Sequence, residues 1–372
     1  MNGDAVDRFL AHHWRTPDFD LRRVRGMISP ARSGVRRVAT TVANVPGLVG
    51  ALERLERPRS NVLTVLMYHR VDEVGAEPDL DPSLLSATPQ GFARQIEHLA
   101  RTRHLVSMPE LLAVRRKEAS LPPRSVMVTF DDAYRDFDVH AWPVLRDHGA
   151  PVTLFVPTAF PDSTGPGFWW DRMYRAFCTT TRRLPLATAA GSIPFATPQE
   201  RLRAFTQLRN HLKGLPHADA MAQVDAVEAA LEVTDAGCKV LGWARLRALA
   251  AEGVVLAPHS RTHPILSRLP VDDVAGELIG SWEDLEREVG STPRVFAYPA
   301  GGHSRQVVDV LATAGFEVAF TTERGTNDLR GARWLELARR NVGVRSSLGV
   351  LRLQLLAPSR RDRADRGTSW HK

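Results

Sequence analysis

Ser125-Val126-Met127-Val128-Thr129-Phe130-Asp131-Asp132 is the stretch on which the reading of the fold turns: an apolar run that stops at two adjacent carboxylates. Introduced by Pro122 and Pro123, the run reads as a buried strand of a parallel sheet. Such a strand need not alternate, because helices cover both faces. The carboxylates stand at its C-terminal end, and in α/β folds ligands bind in the crevice outside the strand C-termini. The plainer role, capping a helix that begins near Asp138, would use one carboxylate across a long gap.

Working outward, the chain alternates strand and helix. Val62 to Tyr68 is an apolar run of strand length ending in Tyr68-His69-Arg70-Val71. Helical spacing follows at Phe92, Ile96 and Leu99, then a short helix capped by Ser107. Beyond the double Asp come helix Val139 to His148 and strand Val152 to Val156. From about Pro161 to Leu241 the rhythm breaks: Phe168-Trp169-Trp170-Asp171 precedes two helical patterns, Arg201 to Leu212 and Ala218 to Leu231, with no strand signal. This reads as a helical insertion. Alternation resumes with helix Trp243 to Glu252, strand Val254 to Ala257, helix Val271 to Val289, strand Val295 to Tyr298, helix Ser304 to Ala314 and strand Glu317 to Thr321. Asn341 to Val344 is a closing strand. The acidic loop from Asp72 to Asp81 reads as solvated.

Composition sets the bounds. A chain of 372 residues, 43% of them apolar, can bury a core for one large domain or two ordinary ones. Cys178 and Cys238 have no metal-binding or disulfide spacing and read as ordinary buried thiols. The net charge of +7 comes with basic residues that are nearly all arginine, and outside the first sixty residues no basic stripe interleaved with aromatics suggests nucleic acid. Residues 1 to 60 form a basic extension holding Arg22, Arg23, Arg25, Arg32, Arg36 and Arg37. Its apolar part, Val38 to Leu55, is too interrupted for a signal peptide or a membrane span. A solvated extension packed on the main domain is the reading adopted, with peripheral contact to a membrane surface as the alternative. The tail from 346 to 372 is charged.

A second strand end carries His259-Ser260-Arg261-Thr262-His263 between Pro258 and Pro264. Two imidazoles four residues apart, with a carboxylate from the double Asp, make a ligand set suited to zinc. Three protein ligands leave positions open for water and substrate, as catalysis requires. Either Asp131 or Asp132 could be the third ligand. A third strand end, Arg294-Val295-Phe296-Ala297-Tyr298-Pro299-Ala300-Gly301, couples a constrained to a permissive backbone, so that an N–H can be aimed into the crevice.

Taken together, Thr129-Phe130-Asp131-Asp132, His259-Ser260-x-x-His263 and Arg294-x-Phe-x-Tyr298-Pro299 resemble the first three motifs of the polysaccharide deacetylases, the NodB-like carbohydrate esterases. The resemblance covers roughly residues 61 to 345 without the insertion. It implies an α/β fold, a distorted barrel of about seven parallel strands. It also implies a divalent metal, zinc first with cobalt, nickel or manganese as alternatives, held by Asp132, His259 and His263. Asp131 would be the base, Arg294 would orient it, and the Tyr298 N–H would stabilise the oxyanion. The family's usual late catalytic His is missing. His69 at the end of the first strand is similar to that motif moved to the front, as in permuted deacetylases acting on poly-N-acetylglucosamine, and would be the acid.

Hydrolysis of an N-acetyl group agrees with this set, since a metal lowers the pKa of its water to about 7 and an acid must protonate the amine. Trp169, Trp170 and Asp171 would form a sugar platform, and His303 lies close enough to touch substrate. The partner would be an N-acetylated glycan or amino-sugar precursor, and the location the cytoplasm. Two other readings stand beside this one: a hydrolase of small cyclic or linear amides, and a silent barrel that binds glycan.

Overall fold

The structure, a computed structural model, describes residues 47 to 356 except 58, 183 to 185, 189 to 190 and 234 to 236. Most of the basic extension and the end of the charged tail lie outside the described residues. The described residues divide into two compact units, one within 75–82 and 163–238, the other within 47–74, 83–162 and 239–356.

In chain order the elements are Leu48–Leu55 (α1), Val62–Tyr68 (β1), Pro89–Thr102 (α2), His104–Leu105 (β2), Met108–Arg115 (α3), Ser125–Asp131 (β3), Trp142–Asp147 (α4) and Val152–Val156 (β4). The inserted unit supplies Trp169–Thr179 (α5), Leu186–Thr188 (β5), Gly191–Ile193 (β6), Pro198–Leu212 (α6) and His217–Leu231 (α7). Then follow Trp243–Ala251 (α8), Val255–Pro258 (β7), Val271–Val289 (α9), Val295–Ala297 (β8), Arg305–Thr313 (α10), Val318–Phe320 (β9), Asn327–Asp328 (β10), Arg340–Asn341 (β11) and Leu348–Leu356 (α11).

In the larger unit a seven-stranded sheet runs through β1, β3, β4 and β7 in parallel, with β11 parallel and β10 antiparallel to β1 and β2 beside β3. A second parallel pair, β8–β9, stands apart in its backbone ladder. Side chains show how the two pieces close. Leu63, Val65, Met127, Phe155, Ala257, Val295, Ala297, Val318, Phe320 and Leu337 pack in one buried cluster, so β1, β3, β4, β7, β8 and β9 all face a common interior. The Thr321 N–H donates to the Leu337 carbonyl and links β9 to the segment leading into β11. Between β7 and β8 the link is a side chain, His259 Nδ1 at 2.7 Å from the Ala297 carbonyl oxygen. This is the α/β barrel architecture anticipated, distorted where the ladder is interrupted.

Strand periodicity carries the interior to the mouth. Side chains on one face recur every second residue. The inward set Leu63, Val65 on β1 therefore continues to His69, Met127 on β3 continues to Thr129 and Asp131, and Ala257 on β7 continues to His259. The opposite parity of β1 and β3, Tyr68 and Phe130, stacks at 5.2 Å and packs edge-on against Phe92 of α2. Helix starts follow side-chain chemistry: Thr88, Ser107, Thr197 and Ser304 each accept a backbone N–H as N-caps.

The inserted unit has its own core, in which Met173 and Phe177 of α5, Phe205 and Leu208 of α6, and Val224 and Val227 of α7 meet. It is not purely helical as expected: β5 and β6 form a short antiparallel hairpin. Strands of three residues lie below the window in which alternation can be recognised. The loop from Asp72 to Asp81 is solvated through its middle, where Glu73, Val74, Gly75, Ala76 and Pro78 are exposed, but its end carboxylates are buried and paired, Asp72 with Arg70 at 3.3 Å and Asp81 with Arg209 at 2.6 Å. Cys178 is exposed and Cys238 half-buried, so neither is the buried thiol anticipated. Within the described part of the extension, Leu48–Leu55 is a helix docked on the barrel, with Glu53 ion-paired to Arg352. Among the described residues no helix is long and apolar enough to cross a membrane.

Candidate active site

The C-terminal ends of β3 and β7 bring three donor groups together. Asp132, His259 and His263 are all buried, and their ligand atoms lie within 4.8 Å of one another, the one group among the described residues able to hold a metal ion. Asp132 Oδ1 is 3.5 Å from His259 Nε2 and 3.2 Å from His263 Nε2. That oxygen is buried without a hydrogen-bond donor. Such an atom is costly unless a cation meets it. His259 Nδ1 faces the Ala297 carbonyl, which places the proton on Nδ1 and turns the Nε2 lone pair to the centre.

Electrostatics point the same way. Burial pushes the His259 imidazole down to about 4, with Asp131 opposing, so the ring is neutral near pH 7 as a metal ligand must be. Burial opposes charge on Asp131, but Arg339, His259 and His69 outweigh it and hold the carboxyl below its ordinary range. Asp132 is held low in the same manner, burial being outweighed by His263, His69 and His259. Both carboxylates are therefore ionised.

The backbone around these residues is unusual. Asp132 (φ 73°), Ala133 (51°), Ser260 (62°), His263 (58°) and Ala300 (51°) all adopt the left-handed region without being glycine. Each such residue costs on the order of 1–3 kcal/mol, and such outliers cluster where side chains must be aimed. These five lie on the three loops leaving β3, β7 and β8.

Asp131 sits next to this group, its Oδ2 3.9 Å from His259 Nε2. Its partner is Arg339, whose Nη1 and Nη2 each donate at 2.7 Å to a different carboxylate oxygen. Arg339 is fully buried. Its Nε donates to the Thr321 carbonyl at 3.0 Å, and its guanidinium lies 5.7 Å from the Phe155 ring centroid. This corrects the expectation for Arg294. Arg294 immediately precedes β8, and in a parallel barrel the strand starts lie at the end opposite the mouth. There it stacks on Trp282 at 3.7 Å and donates to the Ala314 carbonyl at the end of α10.

The expectation for the Tyr298 N–H is also corrected. That group donates to the Phe320 carbonyl at 3.0 Å, extending the β8–β9 pairing, and the phenol donates to Leu335 O at 2.8 Å. Two residues on, the Ala300 N–H has no acceptor among the described residues.

His69 directly follows β1 with inward parity, half-buried, its N–H donating to Ser86 Oγ at 2.9 Å. The β1–β3 register pairs Tyr68 with Phe130, so His69 and Asp131 are the next residues on adjacent strands. His303 is held by the Gly301 carbonyl at 2.9 Å, stacks on Tyr298 and lies 3.4 Å from Glu336, which with that carbonyl raises its pKa. Of the aromatic set in the inserted unit, Trp170 is buried against Phe168 and Asp171 is buried with its oxygen accepting the Asp81 N–H. Those two are internal supports rather than an open platform, because the apolar ring and the satisfied carboxylate are both consumed by packing. Trp169 keeps partial exposure.

Sequence reasoning missed Arg339. Its only local signal is a charged residue between Ala338 and Arg340 close to the closing strand, which an exposed arginine would share.

A family model described as polysaccharide deacetylase matches residues 118–319. The chain is 31% identical over 64 residues to YlxY, an uncharacterized protein of Bacillus subtilis, a match that covers 17% of this chain and only 20% of that relative. Among solved structures the fold is similar to the Streptococcus pyogenes deacetylase PplD in complex with acetate, with TM-score 0.54 and 18% identity over 81% of this chain and 100% of that one. It is also similar to a polysaccharide deacetylase from Bacillus cereus, with TM-score 0.53 and 17% identity over 80% and 69% of the two chains. IcaB from Ammonifex degensii gives 0.50 and 19% over 80% and 97%. At such identities these likenesses concern the fold. The family model, however, spans more than half of the 372 residues and takes in β3 through β9 with both the double-Asp and the His259–His263 motifs, so the chain belongs to the polysaccharide deacetylase family.

Proposed function

We propose that the protein is a metal-dependent hydrolase that removes N-acetyl groups from the amino sugars of a polysaccharide, oligosaccharide or glycan precursor. The observation that carries this reading is the burial of Asp132, His259 and His263 around one point, with ionised Asp131 beside them. Two imidazoles and a carboxylate suit zinc, and a divalent ion held there would supply an acidified water and polarise the acetamide carbonyl.

The remaining roles belong to the chain's own groups. Asp131 receives the proton of the attacking water, and Arg339 fixes the plane of its carboxylate so that the accepting lone pair keeps one direction. His69, inward on the neighbouring strand, gives a proton to the amine nitrogen as the C–N bond breaks. Without that proton the leaving group would be an amide anion. With the Tyr298 N–H engaged, the Ala300 N–H on the same loop would be a donor to the developing oxyanion.

The test is acetate release from N-acetylglucosamine oligomers by the full chain, before chelation, after it, and after zinc is restored. Zinc-dependent acetate with matching free amine is expected. A zinc-loaded protein that releases no acetate from any N-acetylated oligosaccharide would overturn the reading.

A further inference from the structure

Helix α1 has two chemically opposite faces. Its inner face is docked: Val49 is buried, and a Cβ placed on Gly50 would stand 3.7 Å from Arg352 Nη2. Both acidic side chains of the segment turn inward. Glu53 pairs with Arg352 at 3.0 Å and lies 3.6 Å from both Arg103 and His98, while Glu56 pairs with Arg103 at 3.2 Å and Arg124 at 3.3 Å. The outer face holds Leu48, Leu52 and Leu55 at i, i+4 and i+7 with Ala51 between them, and Leu55 is 77% exposed. Among the described residues the exposed large apolar side chains include three on α1, while no other helix or strand carries more than one. Arg54 and Arg57 are exposed beside them.

The segment has thus separated its charges. The carboxylates are neutralised against the barrel, and the outward surface combines a leucine stripe with guanidinium groups. We infer that this face of α1 docks on an anionic lipid surface, the leucines entering the boundary between headgroups and acyl chains and Arg54 and Arg57 meeting lipid phosphates. A protein partner is the weaker match, since one face of an eight-residue helix falls far short of the roughly 800 Å² per side of a stable interface. A bilayer needs no such area. It gathers apolar insertion with the charge of basic residues that reach its surface, and the sequence 11 to 26 residues ahead of α1 carries Arg22, Arg23, Arg25, Arg32, Arg36 and Arg37.

The experiment is co-sedimentation of the full chain with vesicles of phosphatidylglycerol in phosphatidylcholine and with vesicles of phosphatidylcholine alone, over a range of salt. Binding should appear with the anionic vesicles, weaken as salt rises, and be nearly absent with the neutral ones. Each basic residue near an anionic surface strengthens binding roughly fivefold. Arg54→Gln with Arg57→Gln should therefore weaken it by about tenfold or more and flatten the salt dependence. Leu52→Gln with Leu55→Gln should weaken it by about tenfold or more at every salt concentration. All four side chains are exposed, so both double variants should keep the wild-type melting temperature. Unchanged binding in both variants would assign the effect to other residues and overturn the inference, as would equal binding to the two vesicle types or none to either. A dimer in sedimentation velocity that the leucine variant dissolves would instead make the face a contact between copies.

Discussion

Arg339 and Asp131, 208 positions apart in the chain, meet inside the barrel as a planar two-bond pair, Nη1 to Oδ1 and Nη2 to Oδ2 at 2.7 Å each. The pair is buried on both sides, so removing one partner leaves an uncompensated charge. Arg339→Gln should destabilise the fold by on the order of 3–5 kcal/mol, read as a fall in melting temperature. Arg339→Lys keeps the charge but loses the fork geometry. It should cost less stability and lower kcat with KM little changed, at full zinc content. Wild-type kcat in the lysine variant would remove Arg339 from the positioning role.

The metal assignment divides the two adjacent carboxylates. Asp132→Ala, His259→Ala and His263→Ala should each lose zinc on dialysis, because a three-ligand site loses most of its affinity with one ligand. Asp131→Asn should retain zinc and lose turnover. Metal analysis alongside the acetate assay decides it: zinc lost from Asp131→Asn and kept in Asp132→Asn would exchange the two roles.

His69→Ala should retain fold and zinc while turnover of N-acetyl amides falls by about 10²–10⁴-fold, the range for a lost general acid. An activated aryl ester should suffer much less, since a phenolate leaves without a proton. The alkaline limb of the amide pH profile should also disappear. Equal damage to ester and amide would make His69 a structural residue and bring His303 forward.

Glu53 gives a pH-dependent stability. The hydrogen bond from Arg352 is the largest of the effects that hold its carboxyl below the ordinary glutamate value in the folded protein. A lowered folded pKa means that the contribution is present above the unfolded value and lost as pH falls through the folded one. Glu53→Gln should therefore cost about 1 kcal/mol at pH 7. The gap to wild type should close below about pH 4. Melting temperatures across pH test this, and a gap independent of pH would mean that α1 is held by packing alone.

What the sequence determined by itself is what short windows encode. The apolar runs placed β1, β3 and β4, and the position of Asp131, His259 and His69 at the C-terminal ends of apolar runs already put them at one end of the sheet. Two histidines four apart, bracketed by prolines, identified a donor pair that the fold does bring onto Asp132. Tertiary structure alone decided the rest. Whether Arg294 or Arg339 meets Asp131 depends on which end of a strand faces the mouth and on which strand closes the barrel beside β1, and neither is written in local periodicity. The Tyr298 N–H looked available because its acceptor, the Phe320 carbonyl, belongs to a strand 22 positions later. Asp171 looked like surface for the same reason: a carboxylate beside aromatic rings suits a sugar, but it suits a packed interior equally once the Asp81 N–H arrives from 90 positions away. Side-chain chemistry and spacing are local properties, whereas the partner that satisfies a given charge or N–H is chosen by chain closure over long separations.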